Sequence, residues 1–116
     1  RSLVARVARA REGAEAPTWV YRFAWASPTK GWALHCLDVP FWFDVLDAER
    51  VDAVAGATPP RSLAAAVHGG AAAFARTADP GWRPWSEAPG ATRVFGGPPA
   101  NPEVIPDGYR SVTPLV

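Results

Sequence analysis

Trp19-Val20-Tyr21-Arg22-Phe23-Ala24-Trp25, followed after a short loop by Trp32-Ala33-Leu34-His35-Cys36-Leu37-Asp38-Val39-Pro40-Phe41-Trp42-Phe43, is the stretch that decides the fold. Residues 18–25 are rich in β-branched and aromatic types, which predicts a strand. Apolar residues stand at successive as well as alternate positions, a pattern that suits a strand covered on both faces. The intervening Ala26-Ser27-Pro28-Thr29-Lys30-Gly31 carries the residues of a loop. His35 is thereby expected on a loop just past a buried strand, where open α/β sheets keep their chemistry.

Helices flank this strand. Apolar Leu3, Val4, Val7, Ala8 and Ala10 alternate with Arg6, Arg9 and Arg11, which predicts a helix over 2–12 with one apolar face packed on a sheet. Gly13 and Pro17 end it. Asp47 is placed to cap a short helix from about Ala48 to Val54. Leu63, Ala64, Val67, Ala71, Phe74 and Ala75 share one face of a longer helix, and Thr77-Ala78-Asp79-Pro80-Gly81 stops it. Gly69-Gly70 stand inside that helix, where each costs about 1 kcal/mol relative to alanine, so a looser or kinked helix is expected. From Trp82 onward, seven prolines leave room only for short strands, at Thr92–Phe95 and Glu103–Ile105. Helix, strand, then more helix is an α/β order.

Composition narrows the function classes. The 116 residues suffice for one domain of ordinary size, and 48 % are hydrophobic, enough for a core. A net charge of +1 argues against a nucleic-acid partner. No apolar run reaches the length of a membrane span, and Arg1-Ser2-Leu3 begins no signal peptide. The lone Cys36 excludes an internal disulfide and a multi-cysteine zinc site, and no spacing of His, Cys, Asp and Glu points to a metal or cofactor. Localisation stays open, cytoplasmic and secreted alike.

His35 carries the chemistry. An imidazole titrates near neutral pH and serves as a general base. To activate a serine it needs that serine at one ring nitrogen and a carboxylate at the other. Ser2, Ser27, Ser62, Ser86 and Ser111 all lack a Gly-x-Ser-x-Gly setting. In α/β-hydrolases the order is nucleophile, acid, histidine, so the end of such a fold shows a histidine alone.

Three blocks carry a family resemblance. Val20 to Pro28 resembles the strand before the catalytic histidine of bacterial type-B carboxylesterases. His35-Cys36-Leu37-Asp38-Val39-Pro40 and the apolar residues after it resemble their histidine loop. Val67-His68 with Ala73 to Gly81 looks like the final helix and its exit, and Trp82-Arg83-Pro84-Trp85 with Arg93-Val94-Phe95-Gly96 looks like the closing segment. The similarity covers about residues 17–97, with the blocks in the family's order.

The resemblance implies the C-terminal part of an α/β-hydrolase domain, with one central strand, the histidine loop, packing helices and short terminal strands. Residues 1–97 hold these elements and 98–116 form a Pro-rich tail. The implied activity is serine-dependent hydrolysis of small-molecule carboxylic esters, with His35 as triad base. The nucleophile and acid lie in the remainder of the hydrolase domain, so the 116 residues are expected to be inactive alone. Asp38 is expected to brace the loop through backbone N–H groups rather than act as the triad acid. Trp32 and Trp42 are candidates to line the substrate gorge, with core packing the other reading of Trp42. Cys36 is expected to be a small buried thiol, and His68 a structural residue. The alternative is an esterase-like binding or adhesion module without catalysis.

Overall fold

The computed structural model describes residues 2–98 and 103–111, and the expectations for 99–102 and 112–116 lie outside the described residues. Seven elements follow in order: α1 (Ser2–Ala10), β1 (Tyr21–Phe23), α2 (Val39–Trp42), α3 (Asp52–Ala55), α4 (Arg61–Thr77), β2 (Thr92–Phe95) and β3 (Val104–Ile105). The fold is mixed α/β, with a three-stranded sheet in the order β1-β2-β3. Arg93 N–H donates to Val20 O and Ala24 N–H to Phe95 O, so β1 and β2 advance in the same direction. β2 and β3 are antiparallel, pairing Thr92 with Ile105 and Arg93 with Val104.

β1 differs from the expected central strand. It is three residues long and only half-buried. It stands at the sheet edge because β2 takes the middle place, bonded to β1 on one side and β3 on the other. The aromatic richness of 18–25 is used elsewhere. Trp19 Nε1 donates to Trp82 O at 2.8 Å, and Trp25 packs its ring on Phe41.

The chain divides into two compact units. One comprises Arg1–Arg22, Trp82–Val94 and Pro98–Val116. Its core gathers Ala5, Ala8, Val20, Trp85 and Tyr109. α1 therefore buries Ala5 and Ala8 and leaves Leu3, Val4, Val7 and Ala10 exposed, so only Ala8 of the expected apolar face is buried. The bulk of Trp85 and Tyr109 is the reason: only small residues let a helix backbone approach two large rings closely. The helix also ends at Ala10, short of 12, and N–H groups of Arg11, Glu12 and Ala14 turn back to the carbonyls three residues earlier. Gly108 and Tyr109 are tied to this unit. Tyr109 donates its hydroxyl to Tyr21 O at 3.0 Å, and Arg22 Nη1 donates to Gly108 O. Gly90, at φ 98, lies so close to Pro106 O that a Cβ would meet it at 2.2 Å. Arg93 binds the Glu103 carboxylate, and that hydrogen bond holds the Glu103 carboxyl below the usual range.

The other unit comprises Phe23–Gly81 and Phe95–Gly97. α2 packs against α4. Phe41 is the centre of an aromatic cluster, its ring 5.1 Å from Phe23 and 5.3 Å from Trp25. Gly96, at φ 69, lets the chain pass Trp25, since a Cβ there would stand 2.4 Å from the Trp25 Cβ. Asp47 caps no helix. Its carboxylate takes the Arg61 guanidinium instead, 48–51 form turns, and α3 begins only at Asp52. The Asp47 bond in turn raises the Arg61 pKa.

α4 runs unbroken for 17 residues through both glycines. It ends as expected near Thr77, but the left-handed cap is Ala78, φ 57, whose N–H reaches Phe74 O. Thr77 Oγ1 donates to Ala73 O and Asp79 Oδ1 accepts from Gly81 N–H, which fixes the exit. Gly69 is exposed and a Cβ there would meet nothing within 4 Å. Gly69→Ala is thus expected to stabilise by about 0.5–1 kcal/mol, through lower chain entropy in the unfolded state. A raised urea midpoint checks this; an unchanged or lowered one contradicts it.

Candidate functional site

The site is built on the segment between β1 and α2. Its first part is a polar knot. Ser27 is fully buried, and its hydroxyl donates to Val54 O at the end of α3. The same oxygen accepts from Thr29 N–H and Lys30 N–H, both at 3.2 Å. Ser27 N–H reaches Trp32 O, and Gly31 N–H returns to Ser27 O. Thr29 Oγ1 adds contacts to Ala53 O and Val54 O. Pro28 then sits against Gly56, where a Cβ would stand 2.7 Å from the proline Cγ. In sequence Ser27 stands out only as a serine without a Gly-x-Ser-x-Gly setting. Its signal was the Ser-Pro-Thr-Lys-Gly turn composition, since short hydroxyl side chains bond their own backbone in turns.

Because one hydroxyl serves three backbone groups, its loss leaves buried polar atoms without partners. Ser27→Ala is expected to destabilise by about 1–3 kcal/mol. Thr29 Oγ1, at 3.3 Å from Val54 O, moderates this. Thermal or urea unfolding measures it, and a loss below a few tenths would show the knot to be dispensable.

The histidine turn follows. Residues 35–38 form a turn in which Leu37 N–H reaches Leu34 O and Val39 N–H reaches Cys36 O. Cys36 adopts φ 61, a left-handed conformation that costs a non-glycine residue about 1–2 kcal/mol. It is exposed rather than buried, because this conformation turns the chain outward just before Leu37, which is the residue that enters the core. His35 is exposed. No hydrogen bond joins its ring to another of the described residues. Both nitrogens are thus open to groups that approach from outside.

Asp38 stands at the N-cap of α2 in helical conformation, and its side chain makes no cap hydrogen bond. Its carbonyl accepts from Trp42 N–H at 2.8 Å. Pro40 sits in the first turn, where its missing N–H does no harm. Trp32 is exposed and Trp42 half-buried. The Trp42 carbonyl meets Nδ1 of His68 on α4 at 2.9 Å, which sets that nitrogen as the donor. His68 is therefore a tie between α2 and α4.

A cleft of about 870 Å³ in the same unit is lined by 46–50, 52, 53, 56–59 and 61, without His35, Asp38, Trp32 or Trp42. Among the described residues, no group of three or more His, Cys, Asp and Glu could hold a metal ion. No helix among them is long and apolar enough to cross a membrane. The arrangement presents an accessible imidazole on a turn, in a segment that also exposes Trp32, Val39 and Phe43. No protein-family model matches the chain.

Proposed function

We propose that this chain supplies the general base of a serine-dependent carboxylic ester hydrolase of the α/β-hydrolase type. The observation that carries the reading is His35, an exposed imidazole on a turn held at both ends. Upstream, the buried Ser27 knot holds the chain; downstream, Phe41 anchors α2 in the aromatic cluster. A base needs this combination of rigid backbone and free ring nitrogens. The resemblance of residues 17–97 to the type-B carboxylesterases supplies the substrate class. His35 takes the proton of a serine hydroxyl as it attacks the ester carbonyl. It then returns that proton to the departing alkoxide, and water releases the acyl group by the same exchange. Serine and acid come from the remainder of the hydrolase domain. Incubating the 116-residue chain with p-nitrophenyl butyrate should give no turnover above background. Turnover by the chain alone that vanishes in His35→Ala would overturn this division of roles.

A second reading keeps the fold and drops the chemistry. The exposed Trp32, Val39 and Phe43 in the same segment as His35 favour it, because they offer apolar surface to a partner. An esterase-like binding module would carry no Gly-x-Ser-x-Gly elbow in its polypeptide, and the hydrolase must carry one.

A further inference from the structure

Asp107-Gly108 is the one aspartate–glycine step in the chain. Of the other aspartates, Asp38 and Asp44 precede valine, Asp47 and Asp52 alanine, and Asp79 proline. A side chain on the following residue crowds its peptide nitrogen, most of all a β-branched one, and proline has no N–H. Only after Asp107 is that nitrogen uncrowded. Packing requires the glycine: a Cβ at position 108 would stand 2.4 Å from the Cβ of Thr92, which is fully buried. Asp107 itself is exposed in a turn over 106–109, and its carboxylate bonds none of the described residues. Gly108 N–H donates to Gly90 O at 3.3 Å, a long bond for such a pair. A free carboxylate thus lies next to an uncrowded nitrogen that one weak bond guards, in a surface turn that opens at low cost.

We infer that Asp107 is a site of spontaneous isoaspartate formation, and that the rearrangement frees the 106–109 turn from the core of its unit. The Gly108 nitrogen attacks Cγ of the protonated Asp107 carboxyl. The N–Cγ bond forms, the Cγ–OH bond breaks, and the hydroxyl leaves as water with the nitrogen's proton. A succinimide ring results. Water then adds at the Asp107 main-chain carbonyl and breaks its bond to the Gly108 nitrogen. This releases a free α-carboxyl and leaves the chain running through Cβ and Cγ. Water is the only other reactant, lost in the first step and regained in the second. The main chain is longer by one carbon, about 1.5 Å. Gly108 is buried against Thr92, so the extra length has no room. Two ties depend on the original spacing. Gly108 O accepts from Arg22 Nη1 at 3.2 Å, and Tyr109 donates its hydroxyl to Tyr21 O at 3.0 Å. Arg22 Nε is already buried without a hydrogen-bond partner, so loss of the Gly108 carbonyl leaves the guanidinium still less satisfied. Tyr109 then leaves the core that it shares with Trp85.

The test ages the whole folded chain at neutral pH in water enriched in heavy oxygen. A protein isoaspartate methyltransferase with labelled S-adenosylmethionine then marks each new α-carboxyl, and peptide mapping locates the mark. The label and the heavy oxygen should both appear at Asp107, and the other aspartates should stay unlabelled. Asp107→Glu, whose longer side chain would have to close a larger ring, should lose the label and keep the urea midpoint of the fresh chain. The isoaspartate fraction, separated by chromatography, should unfold at a lower urea midpoint and be cut faster by chymotrypsin after Tyr109. A folded chain that stays unlabelled while the same chain aged in urea is labelled overturns the inference, because the fold would then protect the bond. Equal label at the other aspartates, or persistence of the label in Asp107→Glu, also overturns it. So does an isoaspartate fraction with the midpoint and cleavage rate of fresh protein, since the turn would then have kept its ties.

Discussion

His35→Ala, made in the polypeptide that carries the proposed serine nucleophile, is expected to lower kcat/KM for p-nitrophenyl butyrate by about 10⁴-fold or more. Without the imidazole the serine must ionise unaided near neutral pH, and the alkoxide must leave without a proton. The loss should fall on kcat and leave KM nearly unchanged, because the imidazole acts in the transition state and contributes little to ester binding. His35 is exposed and bonds no other described residue, so its removal should not disturb the fold. Asp38→Asn separates two roles for its neighbour. As a triad acid it would cost about 10⁴-fold; as a brace of the turn it should cost far less. Cys36→Ser should leave hydrolysis intact. Retention of full activity in His35→Ala would remove the histidine from the mechanism.

The sequence made the long elements legible and the tertiary choices illegible. α4 was readable because Leu63, Ala64, Val67 and Ala71 repeat at helical spacing, and β2 because a short β-rich run stands between proline segments. Asp47 had the chemistry of a helix cap, yet the carboxylate is taken by Arg61, fourteen residues away; a local preference of about 1 kcal/mol yields readily to such a partner. α1 was legible as a helix but not in its orientation. Periodicity marks an apolar face and cannot say that Trp85 and Tyr109 require alanine beneath them. At the site, the loop that carries His35 is legible in the sequence, and the Ser27 knot upstream of it is not. That knot depends on Val54, which becomes a neighbour only once the chain has folded. The parallel pairing of β1 with β2 is likewise a tertiary fact, joining residues some seventy positions apart.

Phe41→Ala is expected to destabilise the chain by about 3–5 kcal/mol, the usual cost of emptying a phenylalanine site in a packed core. That is a large fraction of the roughly 5–15 kcal/mol that holds a domain folded. Phe41 is 0 % exposed and touches two rings, Phe23 and Trp25, so its removal leaves a void with rigid walls. Those walls cannot collapse easily. Trp25 is held where Gly96 passes its backbone, and Phe23 lies in β1. Phe41→Leu should cost about 1–1.5 kcal/mol, since it keeps much of the volume. Phe43, two residues on, is 64 % exposed, and Phe43→Ala should stay within about 0.5 kcal/mol. In sequence the two phenylalanines are indistinguishable members of one apolar run. What separates them is the helical step of α2, which carries the first inward and leaves the second outward at the C-cap. Urea unfolding followed by tryptophan fluorescence measures all three, with the midpoint read at constant m-value. Equal losses for Phe41→Ala and Phe43→Ala would mean that α2 is not anchored by the aromatic cluster. The histidine turn that leads into it would then have no fixed downstream end.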